Sequence, residues 1–310
     1  MEEVPYEFVD SVVQLLGKLT LERLQGDVDD PLWKTVVDLH FQNRRYFRVF
    51  FHVTAGGAVE CAFEAHATSR VVTLEEVCRF DPRFTRIMHL SNCAPYVKQV
   101  TPDKMLSFKE EEAEVVFGKL ARCFEYRGNE RLYTDNSLPS RALLNCFHQR
   151  AYFDRIRLIN VGPIAADFLA DHIRNCPSLC EISLGMREAW PRSILPHIQQ
   201  FCLRTGKMRR VVLYEKNFVD FDFIKSFFDF WEANADFQCD FEYNSDDPEH
   251  DAFMEQNDSP YDLFRRHKRR KSLVLCKKSF DNRILVFQDC TCGLSRKCEL
   301  KSHPLLRLSM

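Results

Sequence analysis

Four short segments rich in β-forming residues recur between residues 154 and 244 at a nearly constant spacing. Leu158, Leu184, Leu213 and Phe241 occupy equivalent places in them, and the successive distances along the chain are 26, 29 and 28 residues. The three stretches between them carry apolar residues at three- and four-residue intervals, which predicts a helix in each. A strand and a helix repeated at this period are typical of a solenoid.

Apolar and polar residues alternate within these strands, as Arg155-Ile156-Arg157-Leu158 shows. Because successive side chains of a strand point to opposite faces, the pattern predicts helices on one face only and water on the other. The expected architecture is a curved α/β horseshoe whose open face binds a partner protein. The predicted contact residues on that face are Arg155, Arg157, Ser183, Arg210, Tyr214 and Glu242.

Length and composition are those of an ordinary globular chain. The 310 residues correspond to about two domains of typical size. A formal net charge of −2 argues against a protein that holds nucleic acid by bulk electrostatics. No apolar run reaches the ~18 residues of a membrane helix, and the N-terminus lacks the pattern of a secretory signal. The 13 cysteines then predict free thiols in a reducing compartment, the cytoplasm or the nucleus.

The rest of the chain predicts a small helical module and two hairpins. Residues 1–46 predict three short helices, because an apolar stripe starts at Val4 and Asp30-Pro31 is a strong helix start. Residues 47–150 predict a connecting region with a hairpin (47–53 and 59–65) and a helix (109–127), and residues 74–136 carry no assigned role. Residues 151–310 predict the repeat region, closed by a hairpin of residues 273–276 and 284–287.

Two parts of the sequence resemble a known family. Val4-Pro5, Phe8, Val12 and Leu15-Leu16 resemble the start of an F-box, which opens with an apolar–proline pair and continues in a leucine-rich helix. The segment 175–184, Asn-Cys-Pro-Ser-Leu to Leu184, is similar to the helix-to-strand junction of F-box leucine-rich-repeat proteins. The whole layout resembles the divergent F-box-like proteins, expanded in nematodes, that carry an irregular leucine-rich-repeat-like C-terminal region.

The resemblance implies a non-catalytic substrate receptor of a cullin–RING ubiquitin ligase. The residues that would dock on its Skp-type adaptor are Val4, Pro5, Phe8, Val12, Leu15 and Leu16, and the curved face would select a target protein. No cofactor is expected, since the mechanism is tethering, which raises the effective concentration of the target near a ubiquitin-conjugating enzyme. Two alternatives stay open: a repeat scaffold without ligase connection, and an apolar N-terminal stripe that packs on its own core.

One stretch near the C-terminus suggests chemistry. Cys290 to Arg296 satisfies the C-x-x-G-x-x-R spacing of cysteine-dependent phosphatases, in which the thiolate attacks phosphorus and the arginine holds the phosphate oxygens. Asp289 precedes the cysteine, and a neighbouring carboxylate raises a thiol pKa, which opposes activation. Phosphatase chemistry is therefore the weakest of the hypotheses.

Two further motifs have simpler explanations. Cys290, Cys292, Cys298 and His303 offer zinc-ligand types, but their spacing is irregular and free thiols are the preferred interpretation. The basic run Arg265 to Lys271 is typical of a nuclear-import signal or a nucleic-acid patch, but it directly follows an acidic loop and contains no aromatic residue. We interpret it as a solvated basic loop.

Overall fold

The structure is a computed structural model. It describes residues 4–54, 58–92, 94–97, 99–121, 131–134, 138–185, 188–204, 208–234, 237–249, 263–266, 272–279 and 282–289. The chain divides into two compact units, Met1–Leu179 (unit 1) and Cys180–Met310 (unit 2). The division of the chain into three domains, residues 1–46, 47–150 and 151–310, stays a prediction.

Unit 1 begins with the three predicted helices. They are α1 (Tyr6–Gln14), α2 (Lys18–Asp27) and α3 (Pro31–Asn43). Asp30 caps α3, since its carboxylate accepts hydrogen bonds of 3.0 Å from the backbone N–H groups of Leu32 and Trp33. A small aliphatic core joins the helices, with side chains of Val9, Val13, Leu21, Val36 and Val37 fully or almost fully buried.

A mixed sheet follows in unit 1. Its strands are β1 (Arg45–Val53), β2 (Ala58–Ala65), β3 (Arg70–Val72), β4 (Thr85–Asn92), β5 (Leu106–Lys109), β6 (Arg131–Tyr133) and β7 (Arg155–Ile159). The order is β7-β6-β4-β1-β2-β3, and β5 also pairs with β2. The pairs β7–β6, β6–β4 and β4–β1 are parallel, whereas β2 runs antiparallel to β1, β3 and β5.

The other helices of unit 1 lie between these strands or after the last of them. They are α4 (Leu74–Arg79), α5 (Ala94–Val97), α6 (Ala113–Ala121), α7 (Leu138–Phe147) and α8 (Pro163–Asn175), with 3-10 turns at Pro102–Lys104 and Glu110–Glu112. Phe117 of α6 packs edge-on against Phe51 of β1, with ring centroids 5.9 Å apart. The predicted helix over 109–127 thus becomes a 3-10 turn followed by α6, and residues 122–130 lie outside the described part.

Unit 2 combines parallel and antiparallel strands. They are β8 (Glu181–Gly185), β9 (Arg209–Lys216), β10 (Cys239–Asn244), β11 (Leu263–Arg266), β12 (Ser272–Ser279) and β13 (Asn282–Asp289), in the order β8-β9-β10-β13-β12-β11. The first three are parallel, and β13, β12 and β11 continue antiparallel. The predicted C-terminal hairpin is therefore confirmed as β12 and β13.

Two helices of unit 2 cover one face of its sheet. They are α9 (Leu195–Cys202), which follows a 3-10 turn at Arg192–Ile194, and α10 (Phe221–Ala233). Phe227 of α10 lies with its ring centroid 5.1 Å from that of Phe241 on β10, and Phe228 lies 5.3 Å from Phe287 on β13. Edge-on aromatic contacts of this kind form the core of unit 2.

The α/β class and the N-terminal helices are confirmed, and the sheets are mixed with parallel central strands. The pairings show neither a horseshoe nor a repeat, since the parallel run in unit 2 ends at β10. The face of the unit 2 strands that was predicted to be wet is also partly covered, since Ser183, Val212 and Asp240 are buried. In β13, Ile284, Leu285, Val286 and Phe287 are all buried, so both faces of that strand are covered.

Candidate functional site

The N-terminal helices carry an unusual amount of exposed apolar surface. Among the described residues, five of the nine exposed large hydrophobic side chains lie between residues 4 and 19. They are Val4, Tyr6, Phe8, Leu15 and Leu19. Tyr6 and Phe8 are two positions apart and so lie on different sides of α1, whereas Val4, Phe8 and Leu15 follow one another at spacings of four and seven residues. We call Val4, Phe8 and Leu15 the N-terminal apolar face. Concentrated exposure of this kind marks interaction surfaces in soluble proteins.

Local structure explains why these side chains face outward. Pro5 is the N-cap of α1, and the helix ends after Gln14, so its nine residues present one inward stripe. Val9 and Val13 fill that stripe. Phe8 is one position away from Val9, which rotates its side chain by about 100° around the helix, and it is 55% exposed.

The predicted adaptor residues therefore divide into two groups. Val4, Pro5, Phe8 and Leu15 are exposed, while Val12 and Leu16 are half-buried and Leu16 packs against the aliphatic core of the helices. In the alternative interpretation, the apolar stripe packs on its own core. This holds for Leu16, which packs against the core, but not for Phe8 or Leu15, which are exposed. A sequence pattern alone could not separate the two, because Phe8 and Val9 are both apolar.

Arg44, a buried arginine, holds the end of α1 in place. It directly follows α3, and its guanidinium donates to the backbone oxygens of Leu16, Val13 and Gln14 at 2.5, 2.7 and 3.3 Å. Arg86 of β4 also donates to the oxygen of Gln14 at 3.3 Å. The last carbonyl groups of a helix lack partners within it, and a cation at this end also stabilises the helix dipole.

A buried histidine and an aspartate extend this attachment. His40 Nε2 lies 2.8 Å from Asp10 Oδ1, and Arg83 binds the same carboxylate oxygen. Burial lowers the pKa of His40, and the hydrogen bond to Asp10 offsets only part of that effect. Burial would raise the pKa of Asp10, but hydrogen bonds from His40 and Arg83 outweigh it and lower the pKa. The helices are thus held together by an ionised carboxylate, Asp10, which binds the guanidinium of Arg83 and one ring nitrogen of His40.

The predicted partner residues of unit 2 lie on the sheet face away from α10. Arg210 lies 3.9 Å from Glu181, and Asn282 donates to Glu242 at 2.6 Å. Tyr214 is exposed. Ser183 is buried, which corrects the expectation that it faces water, and it pairs in register with Val212, which is also buried.

Asp240 carries a buried carboxyl group on the same face. It was not among the predicted contact residues. It pairs in register with Arg210 on one side and with Val286 on the other. Burial raises its pKa to about 7, although the charge of Arg210 acts in the opposite direction. The sequence signal was the acidic residue between Cys239 and Phe241, two residues that the structure buries completely.

Arg155 and Arg157 belong to unit 1, where a second polar sheet face surrounds them. In register, Glu64, Arg48, His89, Arg131 and Arg155 form one row across β2, β1, β4, β6 and β7. Burial, followed by the charges of Arg131 and Arg48, lowers the pKa of His89 to about 4. This row was not predicted, because β4 and β6 fall in residues 74–136, where the residue pattern is mixed and no role was assigned.

Most of the remaining sequence motifs lie outside the described residues. They are Cys290, Cys292, Arg296, Cys298 and His303, together with residues 267–271 of the basic run. Arg265 and Arg266 belong to β11. In the part of the chain that the structure describes, no three His, Cys, Asp or Glu side chains are arranged to hold a metal ion. No described helix has the length and apolarity needed to cross a bilayer.

Comparisons with protein-family models, with curated proteins and with solved structures find no match to this chain.

Proposed function

We propose that this protein is a substrate receptor that recruits a target protein to a cullin–RING ubiquitin ligase, in the cytoplasm or the nucleus. The observation that carries the proposal is the N-terminal apolar face. A Skp-type adaptor would bury Val4, Phe8 and Leu15, which water covers in the isolated chain. Burial of apolar area is the main favourable term in such association.

The attachment of the helices supports the same function. A ligase subunit must hold its target in a fixed relation to the adaptor, since tethering works through effective concentration. Three arginines bind α1: Arg44, which follows α3, Arg83, which precedes β4, and Arg86, which belongs to β4. These contacts attach the helical module to the sheet of unit 1.

The target would bind solvent-accessible side chains of the sheets. In unit 2 these are the half-buried Arg210 and Glu242 and the exposed Tyr214, which offers an aromatic ring. In unit 1 they are Arg155 and Arg157. The leucine-rich-repeat-like horseshoe remains part of this proposal as the arrangement that would present such residues to a target.

Co-purification with a recombinant Skp-type adaptor tests the proposal. Phe8→Ala/Leu15→Ala removes two exposed side chains, each worth about 2 kcal/mol when buried in an interface, so we expect adaptor capture to fall roughly 100-fold or more. The control is Phe80→Ala/Val115→Ala, which removes two side chains of comparable exposure elsewhere. Equal capture by both double variants, or no capture by the wild type, would contradict the proposal.

The scaffold alternative predicts a different pair of results, one for adaptor binding and one for target binding. A chain that does not bind the adaptor but keeps a target interaction sensitive to Arg210→Glu would be a scaffold without ligase connection.

A further inference from the structure

A cleft of about 490 Å³ opens in unit 1 between the helices and the β2–β3 turn. Its walls come from α2, the end of α3, the start of β1, the turn, and Phe80 after α4. Its volume lies within the range of small-molecule sites, roughly 300–1,000 Å³. All of these elements belong to unit 1, so the cleft is a feature of one compact unit.

The floor and walls of the cleft are largely apolar and aromatic. Phe47 is buried at the floor, and its ring centroid lies 6.0 Å from that of Phe80. Phe41 and Phe80 are exposed to 39% and 41%. Two half-exposed rings at the rim of a cavity offer flat surfaces against which an apolar body can be buried.

The charges around the cleft are mostly positive. Lys18, Arg45 and Arg70 line it, together with Arg44, which binds the end of α1. Among the described lining residues, Glu22 alone carries a carboxylate, 3.8 Å from Lys18. Burial and then the charges of Arg48 and Lys18 lower the pKa of His66, which favours its uncharged form.

Geometry keeps these cations near the apolar walls. The Lys18 ammonium lies 5.4 Å from the ring centroid of Tyr46. Arg45 Nη1 donates to the oxygens of Gln42 and Arg44 at 2.9 and 3.1 Å, bonds that do not involve its Nε and Nη2 donors. Arg70 bonds Glu76 at 3.2 Å and is 65% exposed, so this pair is a weak, solvated one.

We propose that this cleft binds a carboxylate attached to an apolar group. The apolar body would lie against Phe41, Phe47 and Phe80, and the carboxylate would accept hydrogen bonds from Lys18, Arg45 or Arg70. Charge-assisted hydrogen bonds to arginine and lysine are among the stronger polar contacts. The carboxylate belongs either to a small molecule or to the C-terminal residue of a peptide, and both present the same chemistry. This proposal does not depend on adaptor binding.

The fluorescent aryl sulfonate 8-anilinonaphthalene-1-sulfonate is a suitable probe, since it joins an aromatic body to one anionic group. It is titrated into the full chain, and 4-phenylbutyrate is then added as a competitor beside its uncharged counterpart, 4-phenylbutanol. We expect saturable probe binding that 4-phenylbutyrate displaces at least about tenfold better than the alcohol. Equal displacement by both compounds overturns the proposal, and so does displacement by neither of these compounds nor by the peptide acid described below.

Paired charge variants locate the binding site. Lys18→Gln/Arg70→Gln removes two cleft cations, and Arg23→Gln/Arg79→Gln removes two exposed arginines outside the lining. Affinity for 4-phenylbutyrate should fall about tenfold or more in the first variant and stay within about twofold in the second. Equal losses, or no loss in the first variant while circular dichroism shows a native fold, would contradict the assignment.

A peptide arm distinguishes the two sources of the carboxylate. An N-acetylated tripeptide that ends in phenylalanine is compared with its C-terminal amide. Displacement of the probe by the acid but not by the amide or by 4-phenylbutyrate assigns the site to a peptide terminus. Displacement by 4-phenylbutyrate alone assigns it to a small molecule, and displacement by none of the three refutes the site.

Discussion

Units 1 and 2 both place helices against a sheet, but they bury titratable groups of opposite character. Unit 1 buries His172 of α8, whose ring stacks on Phe168 with centroids 4.1 Å apart and accepts a hydrogen bond from the Phe153 N–H at 3.3 Å. Unit 2 buries Asp240 of β10 beside Arg210. Burial lowers the pKa of His172 to about 4 and raises the pKa of Asp240 to about 7.

The difference shows that burial disfavours charge whatever its sign. Burial favours the uncharged form of each group, so the buried histidine tends to lose its proton and the buried carboxyl tends to keep one. Consequently the two units respond to pH in opposite directions, and local measurements on each unit can separate them.

The largest expected effect concerns the aromatic core of unit 2. Phe227→Ala should reduce the free energy of unfolding of that unit by about 4 kcal/mol, because its ring is fully buried against Phe223, Phe237 and Phe241. Chemical denaturation in a Trp33→Phe background measures this, since Trp190 and Trp231, both in unit 2, are then the only tryptophans. The exposed-site control Tyr214→Ala should change stability by less than about 0.5 kcal/mol. A loss below about 1 kcal/mol for Phe227→Ala would show that this core is loosely packed.

Asp240 should make unit 2 less stable as pH rises. A carboxyl whose pKa is raised on folding contributes stability that is complete below its unfolded pKa and is lost as pH rises through its folded pKa, here about 7. Between pH 5 and pH 8 we expect a loss of about 3 kcal/mol. The neighbouring charged groups are Arg210, Glu181 and Glu242, so Asp240→Asn is the informative variant. It should flatten the pH dependence of the denaturation midpoint, and an unchanged slope would refute the assignment.

His172 should act in the opposite direction in unit 1. A histidine whose pKa is lowered on folding contributes no penalty above its unfolded pKa of about 6.5 and destabilises the fold as pH falls toward about 4. Between pH 7 and pH 5 the loss should be about 2 kcal/mol, measured by hydrogen exchange in peptides from α8. His172→Gln should reduce this slope, and His197→Gln, in α9 of unit 2, is the matched control. Equal slopes in the two variants would remove the contrast between the units.

Much of the fold could be predicted because local signals were strong. Asp30-Pro31 began a helix, 47–65 formed a hairpin, and the strand–helix alternation after residue 154 was correct. The sheet of unit 1 could not be predicted, because β6 is only three residues long and β4 joins β1 in a parallel pair that no local pattern encodes.

The face of unit 2 that the alternation predicted to be open is covered in part, since Ser183 and Asp240 are buried while Tyr214 is exposed. The continuous apolar run Ile284 to Phe287 is typical of a strand covered on both faces, and all four side chains are buried. In the helical module, the sequence pattern could not separate Phe8 from Val9 as the inward residue of α1, because both side chains are apolar. The cleft near Lys18 was not predicted at all, because it joins residues up to 62 positions apart, from Lys18 to Phe80.

The central claim is that an adaptor covers the N-terminal apolar face. Hydrogen exchange of the full chain, with and without a saturating purified Skp-type adaptor, tests it most directly. The account predicts slower exchange in α1 and α2, with no change in α9 and α10. Unchanged exchange in α1 and α2, or protection confined to unit 2, would contradict it.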